Sequence, residues 1–296
     1  MKFRCKMSDL FSIQHFYRIL QTVAKLCDTT CIVRMTPTRM FIFTKPASMI
    51  DGGAYVLAEM HPEVLFDEYN MVGYAPDANE IFIEVNPEVL LRGFRVPQKN
   101  AKYIKIKLTN RVGPCMCVES ELPSMTMRSK FTTHDTPIIV LARSVWKDIT
   151  PPEDIPTNIG HQLSSLKLFK TVVDRMRILG QVCATISASR EKLSVDVGGP
   201  TSEYEICSHF EDLENTVDSS VDTEDLTETE EEIALGNGLY SVKVDIRRLC
   251  AFLSAQQYSS NRVTLSIRHK RHLVLLLGDD NKFRLRFVLP GQDCEE

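Results

Sequence analysis

Apolar and polar residues alternate along this chain with two periods, and the periods follow one another in a fixed order. The opening MKFRCKM, Met1 to Met7, has the two-residue period of a strand. From Ser8 to Cys27 the period is helical, with Ile13, Phe16, Leu20, Val23 and Cys27 on one face and Ser8 placed to cap the first turn. Three strand-like runs come next, Thr30 to Thr36, Met40 to Thr44 and Ala54 to Met60.

The same order then recurs. A second round predicts a strand from Glu80 to Val85, a helix from Pro87 to about Lys99, and strands from Lys102 to Thr109 and from Pro114 to Ser120. Pro87 suits a first helical position, and Pro97 frays the end. A third predicts a strand from Ile138 to Ala142, a helix from about Gln162 to Leu179, and strands at Val182 to Ser187, Lys192 to Val197 and Ser202 to Ser208. A fourth predicts a strand from Tyr240 to Asp245, a helix to about Gln257, and strands at Arg262 to Arg268, His272 to Leu277 and Phe283 to Val288. The helix starts near 8, 87, 162 and 245 lie 79, 75 and 83 residues apart, which is an internal repeat. Two repeats in each half predict two similar α+β domains, and 296 residues are enough for both to bury a core.

The four helices share a second pattern. Arg18 and Lys25 lie seven apart, opposite the apolar stripe of the first, and Arg92, Arg95 and Lys99 line the second. In the third, Lys167, Lys170 and Arg177 lie across from Leu166, Phe169, Val173 and Met176, with Asp174 among them. The fourth carries Arg247 and Arg248. On one helix such residues read as an ordinary solvated face. Four net-basic helices at equivalent positions point to a surface that meets a polyanion.

Charge sharpens this reading. The chain carries a net −4, yet eleven acidic residues and no Lys or Arg lie between Glu211 and Glu232, so the remaining 274 residues sum to +7. That acidic stretch reads as an outer loop held away from any polyanion. An apolar share of 43% and a charged share of 25% are those of a soluble globular protein. The longest apolar run, Leu273 to Leu277, is too short to span a bilayer, and no apolar run follows the first charges, so neither secretion nor membrane embedding is expected. Nine scattered cysteines and no glycosylation sequon suit a reducing compartment.

Candidate chemistry is sparse. His134 and Asp135 could serve a phosphoesterase, but adjacent side chains on a strand point to opposite faces, and THDTP reads better as a turn before Pro137. Cys27 with Cys31, and Cys115 with Cys117, lack a second pair at zinc-finger spacing, so no metal is expected. No P-loop lysine or dinucleotide fingerprint is present, so no cofactor and no catalytic residue is expected. The run RHKRH, Arg268 to His272, reads equally as a nuclear-import patch or as a basic hairpin turn.

Ten short segments carry a resemblance in register: MKFRCKM at Met1, HFYR at His15, AKL at Ala24, NEIFIE at Asn79, IKIKLTN at Ile104, THDTP at Thr133, WKD at Trp146, HFEDL at His209, VDIRRL at Val244 and FVLP at Phe287. Together they resemble the Hus-type subunit of the heterotrimeric DNA-damage checkpoint clamp, which is similar to the replication clamp, proliferating cell nuclear antigen. The resemblance implies a sliding-clamp fold, with helices lining a ring around DNA and sheets outside. It implies an N-terminal domain at 1–121, a connector at 122–137, a C-terminal domain at 138–290 with the acidic loop at 211–237, and a tail at 291–296. The DNA-facing residues are then Arg18, Lys25, Arg92, Arg95, Lys99, Lys167, Lys170, Arg177, Arg247 and Arg248. Subunit pairing falls to Met116 and Val118 on one edge strand and to Tyr204 and Ile206 on another.

The implied partners are two paralogous clamp subunits, an ATP-dependent checkpoint clamp loader, and double-stranded DNA or primer-template junctions bound without sequence specificity. Repair and signalling proteins would dock on the outer face, in the nucleus, with a cytoplasmic pool. A self-trimerising processivity clamp is the alternative within the same fold.

Overall fold

The computed structural model describes residues 1–27, 29–45, 53–110, 113–123, 129–152, 155–198, 205–216, 238–255, 262–279 and 283–292. The first half comprises β1 (Lys2–Met7), α1 (Leu10–Leu26), β2 (Cys31–Met35), β3 (Met40–Phe43), β4 (Tyr55–Met60), α2 (Pro62–Leu65), β5 (Glu68–Val72), β6 (Ile81–Val85), α3 (Pro87–Arg92), α4 (Pro97–Asn100), β7 (Tyr103–Asn110), β8 (Pro114–Leu122) and β9 (Lys130–Val140). The second half comprises α5 (Trp146–Ile149), β10 (Ile159–Gln162), α6 (Leu166–Ile178), β11 (Cys183–Ala188), β12 (Lys192–Gly198), β13 (Glu205–Glu211), β14 (Glu214–Thr216), β15 (Tyr240–Asp245), α7 (Ile246–Ala255), β16 (Val263–Arg268), β17 (His272–Asp279) and β18 (Phe283–Pro290).

Fourteen strands join in one sheet, in the order β14-β10-β16-β17-β18-β4-β3-β2-β6-β9-β8-β7-β1-β5, and four more form β13-β12-β11-β15. The halves meet where β18 pairs antiparallel with β4, from Phe283 opposite Met60 to Val288 opposite Tyr55. Helices cross the same seam, since the Thr22 hydroxyl, 3.0 Å from Arg18 O, also lies 3.4 Å from Ala255 O on α7. The rings of Phe252 and Phe287 stack at 4.0 Å beneath them. Each such buried ring contributes roughly 1.5–3 kcal/mol of apolar transfer.

The helices form a layer against the sheets, α6 packing on α7, α7 on α1, and α1 on α3 and α4. α1 buries Ile13, Phe16, Leu20 and Val23 of the expected stripe and Ile19 besides, while Cys27 falls just past its end as the C-cap. Its cap is Asp9, one residue later than expected: the Asp9 carboxylate accepts from the Ser12 N–H at 2.9 Å, while Ser8 donates to Asp67. The helix expected from Pro87 to Lys99 is two short ones. Gly93 closes α3, and Pro97 starts α4 at its first position instead of fraying a longer helix.

The middle of the chain departs most from expectation. The segment expected as a turn, THDTP, lies inside β9, where Val118 faces His134 and Cys117 faces Asp135 across the ladder to β8. Pairing overrides local turn chemistry because Pro137 falls where β9 changes partner: up to Pro137 it pairs with β8, and from Ile138 with β6. A residue without an N–H is tolerated at such a switch. Of the segment expected as a connector, Leu122 ends β8 and residues 130–137 belong to β9, and Ile138 to Val140 complete that strand in the first half. The strand that leads into α6 is the short β10, and the described residues 141–152 and 155–158 lie between β9 and β10 in the chain. Trp146 anchors this segment, stacked on Phe82 at 4.7 Å with its Nε1–H donating to Leu141 O at 3.1 Å.

RHKRH is a hairpin turn between β16 and β17, with Arg268 only 2% exposed and Lys270 in the left-handed region at φ 56°. Of the acidic stretch, Glu211 ends β13, Glu214–Thr216 form β14 with Asp212 and Leu213 between them, and 217–237 lie outside the described residues.

Candidate nucleic-acid interface

The exposed side of the helical layer is where the sequence gathers its cations. α1 contains no acidic residue and presents Phe11, Arg18 and Lys25 every seven positions on its outward stripe. α7 contains no acidic residue either, and carries Arg247 exposed and Arg248 half-buried at its start. Glu88 is the one acid of α3 and α4, against exposed Arg92, Arg95 and Lys99 in that segment. On α6, Phe169, Val173 and Met176 turn inward, and exposed Lys167 and Arg177 with half-buried Lys170 line the other side around Asp174. Arg175 is a further exposed cation on this helix that the sequence reading missed. It lies across the helix from Val173, on the polar side, where the sequence had already placed Lys167.

Ion pairs are sparser on this face than on the sheet of the first half. On the sheet, several cations are matched, Lys107 2.6 Å from Glu119, Lys102 2.8 Å from Glu121, Lys6 3.7 Å from Glu68 and Arg34 2.9 Å from Glu80, while Lys2, Lys105, Lys130, Lys192 and Lys243 have no such match among the described residues. On the helices, Arg248 lies 3.9 Å from Asp245, and the other nine expected residues have no carboxylate within 4.0 Å among the described residues. Cations left unneutralised over one face raise its potential toward polyanions.

His15 adds nothing to that charge at neutral pH. Burial, then the charge of Arg18, pushes its imidazole down to about 4. Cys250, beneath α6, is pushed up to about 11 by burial, and Asp174 acts in the same direction.

The expected pairing residues are not brought together as an edge. β8 is bonded on one side to β7 and on the other to β9, so Met116 and Val118 are interior to the sheet and buried. The sequence placed the edge one strand early because β9 was read as a turn. Residues 130–137 of β9 pair on one side only among the described residues, and Phe131 there is 66% exposed. At β13 the expectation fares differently: the strand ends its sheet, and Ile206 is 38% exposed. Tyr204 lies outside the described residues.

His134 and Asp135 turn to opposite sides of β9. The His134 Nε2–H donates to Val89 O at 2.9 Å, inward against α3, and Asp135 lies outward beside Cys117. Among the described residues no three His, Cys, Asp or Glu side chains are grouped to hold a metal ion, and no helix is long and apolar enough to cross a membrane.

The family described as Hus1-like protein matches residues 1–293. The human checkpoint protein HUS1 is 33% identical over 294 residues, covering 98% of this chain and 99% of that protein. The checkpoint protein Hus1-like of Drosophila melanogaster is 26% identical over 299 residues, covering 98% and 99%. Among solved structures, the proliferating cellular nuclear antigen of Entamoeba histolytica superposes with a TM-score of 0.68 over 98% of both chains at 12% identity, so the fold is that of a sliding clamp.

Proposed function

The chain belongs to the Hus1-like family, and on that premise we propose that it is a non-catalytic subunit of a heterotrimeric checkpoint clamp that encircles DNA at damage sites. The observation that carries this reading is the helical layer itself, where nine of the ten expected cations have no carboxylate within 4.0 Å among the described residues and only Arg248 approaches one. Diffuse positive charge of this kind holds phosphates without reading bases, which suits enclosure and sliding. Its DNA-facing residues are the ten expected ones with Arg175 added.

Ring closure is assigned to two strand edges. Within the chain, β18 closes on β4. By the internal repeat β9 stands where β18 stands, and β13 where β4 stands, so β13 adds antiparallel to the equivalent edge of one paralogous neighbour, and residues 130–137 of β9 receive the equivalent strand of the other. An edge left open in a monomer invites such addition. The domains divide accordingly at residues 1–140 and 159–292, with 141–158 as connector.

Two paralogous clamp subunits complete the ring, an ATP-dependent loader opens it, and repair and signalling proteins dock outside, in the nucleus. Native mass spectrometry tests the assembly. The chain alone should be monomeric, and co-expression with two clamp paralogues should give a one-to-one-to-one trimer. A homotrimer of the chain alone would overturn the reading in favour of a self-trimerising clamp.

A further inference from the structure

At the seam, a notch of about 400 Å³ opens where the end of α1 meets the start of α7. The two helices run antiparallel, because Thr22 meets Ala255 while Lys25 and Arg248 line the same notch. Lys45, just after β3, supplies a third cation from a third element.

Two carboxylates approach these cations without lining the notch. Glu84 lies 2.8 Å from Lys45 and accepts from Thr30, and Asp245 lies 3.9 Å from Arg248. Lys25 has no carboxylate within 4.0 Å among the described residues, so among those residues three cations face two carboxylates. The Thr44 oxygen accepts from Val56 N at 3.0 Å, which leaves its hydroxyl proton to donate into the notch. Phe287 gives an apolar floor. Cations and a hydroxyl over an apolar floor match a phosphate oxyanion carrying a sugar.

We propose that this notch is a discrete site for a sugar-phosphate unit, built from Lys25, Lys45, Arg248 and Thr44. The proposal rests on the reading of the helical layer as the DNA face and goes beyond it: elsewhere the face offers diffuse charge, and here three elements converge on one phosphate. The unit comes from the backbone of enclosed DNA or from a free sugar phosphate, and the chemistry of recognition is the same.

Cys27 lines the notch and is a built-in reporter. Alkylation by iodoacetate, an anion, and by iodoacetamide, which is neutral, is followed by mass spectrometry. Exposed Cys207, beside Asp196, is the control. The iodoacetate-to-iodoacetamide rate ratio should be higher at Cys27 than at Cys207, and the ratio at Cys27 should fall about tenfold in Lys25→Gln/Arg248→Gln while that at Cys207 stays unchanged. Equal ratios at the two cysteines of the wild-type chain would overturn the proposal without recourse to any variant.

Two arms then separate the sources. Protection of Cys27 by 2-deoxyribose 5-phosphate alone supports a free ligand, and protection only by duplex enclosed in the assembled clamp supports the DNA backbone. If duplex is retained by the clamp while neither arm protects Cys27, the notch proposal fails and the DNA-face reading stands. If no duplex is retained but the sugar phosphate protects, the DNA-face reading fails and the notch stands.

Discussion

Reversing Lys167 and Lys170 to glutamate puts the charge of the helical layer to a quantitative test. Four cations and Asp174 give α6 a net +3, and the double substitution makes it −1. Folding should barely register the change. Neither side chain belongs to the buried set Phe169, Val173 and Met176, and the first turn of α6 holds no acidic residue, so Lys167→Glu there gains about 0.3–1 kcal/mol from the helix dipole. Against this, position 170 loses an i,i+4 attraction to Asp174 and acquires a repulsion, each roughly 0.2–0.5 kcal/mol. The balance is close to zero, within the range of about 0.5 kcal/mol usual for surface changes.

DNA binding should change steeply. Each lost phosphate contact removes about 0.9 from the slope of log affinity against log salt, so two remove about 1.8. Over a rise from roughly 50 to 200 mM salt, the wild-type clamp should then lose about 12-fold more affinity than the variant, from a higher starting value. The assay is retention of the reconstituted clamp on primed circular DNA across that salt range, beside a thermal melt and a sizing profile. An unchanged slope with an intact ring refutes the placement of α6 on the DNA. A variant that melts normally but no longer forms the ring refutes it too, since α6 would then lie in a subunit contact.

Three further outcomes are expected. Because His15 is held near 4 when folded, against 6.5 for the ordinary group, the unfolded chain alone binds the proton as pH falls from about 6.5 to about 4. Stability should drop by about 3 kcal/mol over that window, and urea melts of His15→Phe should lack this part of the decline; an identical pH profile in the variant refutes the assignment. Phe287→Ala, which empties a fully buried position under Phe252, should cost about 3–5 kcal/mol in a denaturant melt, and a cost under ~1 kcal/mol would mean that the seam repacks. Val118→Pro should destabilise the chain itself by about 3 kcal/mol, because β8 is bonded on both sides, whereas Ile206→Asp on the β13 edge should leave the melt unchanged and remove one ring contact on a sizing column; the reverse pattern would return the interface to β8.

The four helices and most strands were legible because each buries one face, and a period of two or 3.6 survives in the residues, as Ile13, Phe16, Leu20 and Val23 show on α1. What failed was the middle. β10 reads IGHQ, four residues with a glycine and two polar side chains, too short and too mixed to show a period, so the stronger run Ile138 to Ala142 was taken for the strand that opens the third repeat. That choice turned β9 into a connector and moved the exposed edge to β8. The exposed cations themselves were legible as charge on a helix face, but the absence of a carboxylate near them among the described residues was not, since pairing joins residues as distant as Lys6 and Glu68. The notch is equally silent in sequence, because Lys25 and Arg248 meet only when the halves close.

That closure has a consequence for how the chain is made. β4 is complete at Met60, yet its second neighbour, β18, ends its pairing at Val288, 228 residues later. At about 5–20 residues per second, a ribosome leaves the edge of β4 uncovered for roughly 11–46 s, far longer than a hairpin needs to form. Tyr55, Val56, Leu57 and Ala58 stand bare in that interval, an apolar strand open to any other nascent chain. Production of this protein should therefore depend on chaperones that shield the first half until the last strand emerges, and chains truncated before Phe283 should aggregate.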